Sequence, residues 1–264
     1  MRSQSHPTDE GAAAALRPIR LLNVDIDDVT TEELLEKRDG TIITIHVDMM
    51  AKLQKDKDFY DVVQKFDVVT CDSQILFFAA KAMGLGLRER VSGSDFFPRF
   101  YTRWADDPSV TIFLLGAMND IAARAAEVIN AKVGREIVVG AYGPSVGIAD
   151  DPDEINDVVK MVEESKATVL VFGLEAGKQE RFLMAVKDRL PGVRLFLPLG
   201  GTIDYEAGAV KRPPPIITRI GLEWFWRLAR EPKRRWRRYL VHQPPVLYHL
   251  ARQAAGRYRD PFAD

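Results

Sequence analysis

Short, continuous apolar runs alternate with longer amphipathic segments over most of the chain. The apolar runs predict buried strands at Ile42–His46, Val68–Thr70, Val110–Leu115, Ile137–Val139, Val169–Phe172 and Leu195–Leu197. The segments between them predict helices at Val47–Lys57, Gln74–Met83, Asn119–Val133, Pro152–Ser165 and Lys178–Leu190. Buried strands separated by helices form a parallel sheet that is covered on both faces. The pattern therefore predicts an α/β, Rossmann-like fold.

The N-terminal part of the chain departs from this alternation. Residues 1–17 are polar and Ala-rich and lack a signal-peptide core, so we expect a disordered leader there. Thr30–Glu33 has the sequence of a capping box and predicts the start of a helix ahead of the sheet. The α/β domain itself is expected to span residues 18–208.

The C-terminal part has a different pattern. The alternation stops after Gly208, and Pro213–Pro215 breaks the chain. The remaining residues predict helices at about Ile216–Arg230 and Lys233–Gln253, the second interrupted near Pro244-Pro245. We therefore expect residues 209–264 to form a helical appendage.

Charge divides the chain at the same boundary. The whole chain has 37 basic and 38 acidic residues, a net charge of −1. From Val210 onward there are 13 basic and 4 acidic residues, or +9, which leaves 24 basic and 34 acidic residues, or −10, before it. Three of the four tryptophans also lie in the basic part, at Trp224, Trp226 and Trp236. An acidic body with a basic, aromatic tail indicates an anionic partner.

Three interpretations of the basic tail are open on composition alone. Arginines interleaved with aromatic residues could bind single-stranded nucleic acid by charge and stacking. They could equally lie on an anionic membrane, with the aromatic rings at the depth of the headgroups. The simplest interpretation is that the apolar positions dock a helix onto the core.

Several classes of protein are disfavoured by the sequence. The single cysteine, Cys71, excludes an internal disulfide, which suits the cytoplasm. The four histidines and this cysteine have no zinc-type spacing, so we expect no metal site. No run approaches the ~20 apolar residues of a membrane span. A G-x-G-x-x-G motif after the first strand is missing, which counts against a dinucleotide-dependent enzyme.

The fold class itself indicates where a ligand would bind. In an open parallel sheet, ligands bind at the carboxyl ends of the strands. The polar and glycine residues at or just after those ends are therefore the candidates, and they include Thr44, His46, Asp72, Gly116, Gln179, Glu180, Gly200 and Asp204.

Asp72 and Arg90 each allow two interpretations. Asp72 follows the apolar run Val68–Cys71 and precedes a helix, so it is placed for an N-cap, the commoner role, or for a general base acting on a bound hydroxyl. Arg90 is a surface charge or an anion clamp. Ser94 or Asp95 is expected to cap the helix that follows Arg90.

Four other features have simpler explanations than a catalytic or ligand-binding role. Gly173–Glu180 has the wrong spacing for a P-loop, but its turn into a helix can offer backbone N–H groups to an anion. Asp25–Asp28 precedes the capping box and predicts a turn rather than a metal-binding carboxylate pair. His46 alone is by default a structural histidine. Cys71 is most simply a small buried apolar residue.

Together the motifs form an ordered series. It runs through Thr44–His46, Asp72, Arg90–Asp95, Phe113–Gly116, Lys178–Glu180, Gly200–Gly208, Lys211–Pro213, Gly221–Trp224 and Arg227-Leu228. This series, over about Leu21 to Tyr239, resembles the WecG/TagA/CpsF glycosyltransferases of bacterial surface-polysaccharide and teichoic-acid synthesis. No single motif is specific, but their order and the ending through Leu-Glu-Trp are.

The resemblance implies an activity and a location. It implies inverting transfer of N-acetylmannosamine or a related sugar from a UDP-sugar to a sugar on a polyprenyl diphosphate. The transfer would take place at the cytoplasmic face of the membrane, with the enzyme attached peripherally and without a metal or other cofactor. The C-terminal appendage would contact the membrane and close the active site.

The resemblance also assigns roles to individual residues. Asp72 matches the proposed base, Thr44 a residue lining the pocket, Arg90 an arginine that contacts an anion, and Gln179 a polar pocket residue. The tail arginines Arg227, Arg234 and Arg237 match residues thought to reach a diphosphate, and we place Arg212 with them. Arginines and backbone N–H groups can neutralise a departing UDP without a metal.

This chain departs from the family's pattern at three positions. His46 stands where the family usually has Asn, Ser73 where it has Gly, and Gly177 where it has Pro. These departures leave open which donor and acceptor sugars the protein uses. The oligomeric state is also open, a homo-oligomer included.

The resemblance thus implies a membrane-associated UDP-sugar glycosyltransferase whose tail meets lipid and not nucleic acid. The rival hypothesis is a non-catalytic, nucleotide-sensing α/β module whose basic tail binds nucleic acid or membrane.

Overall fold

The computed structural model describes residues 18–212, 217, 223–230, 236 and 243–263. The predicted leader at residues 1–17 lies outside the described residues. The described residues contain eight strands: β1 Pro18–Leu21, β2 Val24–Asp27, β3 Gly40–Ile45, β4 Val68–Cys71, β5 Ile112–Gly116, β6 Val138–Tyr142, β7 Val169–Gly173 and β8 Leu195–Pro198. The helices are α1 Thr31–Leu35, α2 Val47–Leu53, α3 Lys57–Val63, α4 Gln74–Ala82, α5 Gly93–Arg103, α6 Asn119–Val133, α7 Pro152–Ser165, α8 Lys178–Val186, α9 Thr202–Glu206, α10 Glu223–Arg230 and α11 Pro244–Ala254.

Six strands form one parallel sheet in the order β4-β3-β8-β7-β5-β6. Each corresponds to a predicted apolar run, so the α/β, Rossmann-like fold class is confirmed. Side chains alternate between the two faces of each strand. In β3, for example, Ile42 belongs to the buried cluster that contains side chains of α1, α5 and α6, whereas Ile43 belongs to the cluster that contains side chains of α2, α3 and α8. The sheet is therefore the middle of three layers.

The antiparallel hairpin of β1 and β2 was not predicted. It pairs Leu21 with Val24 around a two-residue turn, in which Leu22 has φ of 54°. The interpretation of Asp25–Asp28 as a turn is wrong, because Asp25 and Asp27 lie in β2. Ile26 is completely buried beneath this hairpin, which explains why the alternating segment forms a strand.

The capping box at Thr30 is confirmed. The side chain of Thr30 accepts from the Glu33 N–H, and the Glu33 carboxylate accepts from the Thr30 N–H. The predicted helix Val47–Lys57 instead ends at Leu53. A separate helix, α3, begins after Asp56, whose side chain accepts from the Phe59 N–H at 2.9 Å. An N-cap within the predicted helix thus divides it in two.

The C-terminal helix α11 packs against the core. Val246 and Leu250 are buried in the same cluster as the apolar side chains of α2. Pro244 occupies the first turn of α11, where its missing N–H costs no hydrogen bond. The proline pair predicted as an interruption is therefore the start of a helix. Gln253 accepts from the Leu22 N–H at 2.8 Å and donates to the Arg20 carbonyl at 3.0 Å, and these bonds also hold residues 243–263 on the core.

Candidate functional site

The carboxyl ends of five neighbouring strands form the candidate site. Ile45 at the end of β3 pairs with Cys71 at the end of β4. Across the sheet, Pro198 of β8 pairs with Phe172 of β7, and Gly116 of β5 pairs with Gly173 of β7. The chain segments that follow these strands therefore start at one edge of the sheet. This edge brings together the candidates predicted from topology.

Asp72 is one residue beyond β4, and its N–H donates to the Ile45 carbonyl at 2.9 Å. Its predicted role as an N-cap is wrong. Ser73 occupies the cap position of α4, and its hydroxyl accepts from the Leu76 N–H at 3.3 Å. Both residue types cap helices well, and the serine is the one next to the first helical residue, Gln74. The cap position of α4 therefore belongs to Ser73 and not to Asp72.

Arg90 holds Asp72 in place. Its Nη1 lies 3.2 Å from Asp72 Oδ1 and 3.3 Å from the Asp72 carbonyl oxygen. Only 16% of the Arg90 side chain is exposed, so its interpretation as a surface charge is wrong. Val91 donates to the Cys71 carbonyl at 2.9 Å and keeps Arg90 beside the end of β4. The predicted caps Ser94 and Asp95 are also wrong, since Ser92 occupies the cap position of α5.

Thr44 lies beneath the start of α5. Its side chain is buried, and its Oγ1 would be 3.4 Å from a Cβ atom added to Gly93. The same Cβ would meet Leu199 at 3.1 Å. The predicted pocket residue thus packs where β3, α5 and the segment after β8 converge, within the site but largely covered.

Gln179 and Glu180 stabilise two turns at the same edge. Gln179 Oε1 accepts from the Gly200 N–H at 3.3 Å, and its Nε2 donates to Glu180 Oε1 at 2.8 Å. The other Glu180 oxygen accepts from the Gly177 N–H at 2.5 Å. Burial raises the pKa of the Glu180 carboxyl above its usual value. These side chains act here as supports for the turns after β7 and β8.

Gly116 allows two backbone segments to touch. Its φ is +143°, and a Cβ atom added there would lie 2.5 Å from the Gly173 backbone. The following residue, Ala117, donates to the Gly173 carbonyl at 3.2 Å. Glycine at this position is therefore required by backbone approach and not only by its φ.

Arg212 is held by carboxylates in this structure. Its Nη2 lies 2.8 Å from Glu206 Oε1 and 2.9 Å from the Ser94 carbonyl oxygen, and its Nη1 lies 3.4 Å from Asp95 Oδ1. Asp204, also in α9, accepts from the Ala209 N–H through its carbonyl oxygen at 3.0 Å. Arg212 thus ties the end of the catalytic core to the start of α5.

Glu206 was missed by the sequence analysis. Its side chain is 2% exposed, yet it also accepts from the Tyr101 hydroxyl at 2.7 Å and from Lys132 Nζ at 2.8 Å. Burial and the adjacent carboxylate raise the pKa of Tyr101. No local pattern marks Glu206, because its partners are brought together by α5, α6 and α9.

His46 occupies the cap position of α2, but its side chain does not cap that helix. Its Nδ1 lies 3.6 Å from Oδ2 of Asp48, in the first turn of α2. Of the tail arginines, Arg227 lies on α10, but its side chain, Arg234 and Arg237 are outside the described residues.

The acidic segment Asp25–Asp28 has structural partners. Asp25 pairs with Arg20 at 3.1 Å, Asp27 accepts from the Val69 N–H at 2.8 Å, and Asp28 binds Arg88. Within the described part of the chain, no group of three or more His, Cys, Asp or Glu side chains is arranged to hold a metal ion.

We expect Cys71 to resist alkylation by iodoacetamide at pH 8 in the folded protein. Its side chain is buried, and burial raises the pKa of its thiol to about 12. Since the thiolate is the nucleophile, the neutral thiol should react only when the chain unfolds. Mass spectrometry with and without denaturant measures this, and rapid labelling of the native protein would contradict it.

The fold and the site define a Rossmann-like enzyme with a carboxylate and an arginine paired at the carboxyl edge of the sheet. The chain belongs to the glycosyl transferase WecG/TagA/CpsF family, whose sequence model matches residues 19–260. It is thus a glycosyltransferase, and the family resemblance drawn from the motifs is confirmed.

Two bacterial relatives are similar over most of their length. Both are named N-acetylglucosaminyldiphosphoundecaprenol N-acetyl-beta-D-mannosaminyltransferase. The protein of Bacillus subtilis strain 168 is 26% identical over 214 residues, which cover 81% of this chain and 80% of the relative. The protein of Bacillus spizizenii is 26% identical over 243 residues, which cover 90% of this chain and 91% of the relative.

Proposed function

We propose that this glycosyltransferase moves N-acetylmannosamine or a related sugar from a UDP-sugar to a sugar carried on a polyprenyl diphosphate. The names of the two relatives support the acceptor, a diphosphoundecaprenol-linked N-acetylglucosamine, and the mannosaminyl group. The reaction inverts the anomeric centre and uses no metal. The donor and the stereochemistry rest on family resemblance.

One observation supports the mechanism. Asp72 stands at the carboxyl edge, where Ser73 and not Asp72 caps α4, and Arg90 Nη1 lies 3.2 Å from Asp72 Oδ1. In the proposed reaction the acceptor hydroxyl attacks the anomeric carbon from the face opposite UDP. The bond to UDP breaks, and Asp72 takes the hydroxyl proton as general base. A single displacement of this kind inverts the anomeric configuration.

The departing UDP needs positive groups and N–H donors. Arg90 is placed at the same edge, and the turn at Gly200 offers backbone N–H groups there. Arg212 is paired with Glu206 and Asp95, so part of its positive charge is already balanced by carboxylates. We therefore propose that Arg212 adds positive charge near the diphosphate without binding it directly, and that Arg227, Arg234 and Arg237 are the tail ligands.

We further propose that the basic C-terminal part attaches the enzyme to the inner face of the cell membrane. Exposed apolar side chains lie in this part of the chain, with Phe225 57%, Trp236 45%, Leu247 49% and Tyr248 61% exposed. Arginines beside exposed aromatic residues suit an anionic bilayer surface. Among the described helices, none has the length and apolar character to cross a bilayer.

The test of the function is transfer to a short-chain polyprenyl-diphosphate-linked N-acetylglucosamine across a panel of UDP-sugars, with and without EDTA. We expect one UDP-sugar to give a glycolipid product, and the rate to persist in EDTA because arginine and N–H groups neutralise the leaving UDP. Loss of the product in EDTA would contradict metal independence. Binding to oligonucleotides, with no product from any donor, would favour the non-catalytic rival.

A further inference from the structure

We propose that Asp48 and Gln243 are positioning residues that orient the His46 side chain, and that they link the docked C-terminal segment 243–263 to the carboxyl edge of the sheet. The proposal rests on the proposed function for what the site binds. Neither Asp48 nor Gln243 belongs to the motifs that identify the family.

The first step is the relation of His46 to Asp48. His46 directly follows β3 at the carboxyl edge, and Asp48 is two residues later in the first turn of α2. Nδ1 of His46 lies 3.6 Å from Oδ2 of Asp48, an electrostatic contact just beyond hydrogen-bond distance, and the two side chains are 30% and 19% exposed. A carboxylate on this side of the ring favours the tautomer with a proton on Nδ1. In that tautomer Nε2 is the ring nitrogen that can accept a hydrogen bond.

The second step is the relation of Asp48 to the C-terminal segment. Gln243 Nε2 donates to Asp48 Oδ1 at 3.1 Å, so the two carboxylate oxygens face different partners. Gln243 is 9% exposed and immediately precedes α11. Val246 and Leu250 of α11 are buried against α2, which fixes the amide relative to the carboxylate. Docking of residues 243–263 thereby restricts the rotation of Asp48, and through Asp48 the ring of His46.

Tyr258 provides a matched control for the effect of docking residues 243–263 on α2. Tyr258 donates its hydroxyl to Gln54 Oε1 at 2.6 Å, and Gln54 caps the other end of α2. Tyr258→Phe and Gln243→Ala therefore each remove one side-chain hydrogen bond between the C-terminal segment and α2, at opposite ends of that helix. Of these two bonds, only the one from Gln243 is made to a residue, Asp48, that contacts His46.

The kinetic test compares Gln243→Ala, Asp48→Asn and Tyr258→Phe in the transfer assay. We expect the first two to lower kcat/KM about 10-fold, within the range of coupling between residues of one network, and Tyr258→Phe to change it less than 2-fold. In a His46→Ala background, Gln243→Ala and Asp48→Asn should have no additional effect. The proposal would be overturned if Gln243→Ala and Tyr258→Phe lowered kcat/KM equally. It would also be overturned if Gln243→Ala and Asp48→Asn lowered kcat/KM as much in the His46→Ala background as they do in the wild type.

The spectroscopic test does not depend on the reaction. The chain has four histidines, and the imidazole ¹⁵N signals that disappear in His46→Asn identify those of His46. At pH 8 we expect these signals to report the Nδ1–H tautomer in the wild type and a mixture of tautomers in Asp48→Asn and Gln243→Ala. Unchanged signals would overturn the proposal. A shift in a protein that transfers no sugar would support the positioning and contradict the proposed function.

Discussion

Replacing Asp72 by Asn is expected to lower kcat by about 10²–10⁴, the usual contribution of a general base. Asn preserves the size of the side chain but cannot take the proton of the acceptor hydroxyl. The measurement is the initial rate of glycolipid formation at saturating donor and acceptor. The KM for the donor should change little, because the proton transfer concerns the acceptor.

Ser73→Ala is the matched control for Asp72→Asn. It removes the hydroxyl that caps α4 at 3.3 Å and should cost about 1 kcal/mol of stability, with kcat preserved within a few fold. If Ser73→Ala lowered kcat as much as Asp72→Asn does, loosening of α4 would explain both losses. A kcat of Asp72→Asn near that of the wild type would remove Asp72 from the role of base.

The sheet could be predicted because its signal is local. Each strand is a short apolar run, and the carboxyl ends of parallel strands meet at one edge whatever the order of the strands. That argument alone placed Asp72, Gly116 and Gly200 at one edge. It gave no strand order, because strand order depends on contacts between distant segments.

The errors at the start of α4 and α5 have a common cause. Ser, Thr, Asp and Asn all cap helices, so a run that contains several of them does not indicate which one is used. Ser73 and not Asp72 caps α4, and Ser92 and not Ser94 occupies the cap position of α5. Choosing among adjacent candidates requires the backbone geometry.

The side-chain partners at the site could not be predicted either. Gln243 binds Asp48 across 195 residues, and Tyr101 binds Glu206 across 105. A sequence shows which residues can form such bonds but not which ones meet. For the same reason Arg212 was assigned to a diphosphate on charge alone, whereas the folded chain gives it two carboxylates.

Gly116→Ala is expected to destabilise the protein by about 4 kcal/mol, from a backbone clash and an unfavourable φ together. The added Cβ atom would lie 2.5 Å from the Gly173 backbone, and a backbone cannot move aside as a flexible side chain can. β5 and β7 are neighbours in the middle of the sheet, so separating their ends disturbs both. Thermal unfolding followed by circular dichroism should show a Tm lowered by roughly 10 °C.

Substitutions of two other glycines separate the effect of the backbone clash from the effect of the unfavourable φ on stability. Gly134 has φ of +78° and no atom within 4 Å of an added Cβ, so Gly134→Ala should cost only about 1 kcal/mol of backbone strain. Gly192 has neither a positive φ nor a near neighbour, and Gly192→Ala should stay within about 0.5 kcal/mol of the wild type. A Gly116→Ala protein no less stable than Gly134→Ala would show that β5 and β7 can separate at their ends without cost. The close approach would then not be what requires glycine at the carboxyl edge.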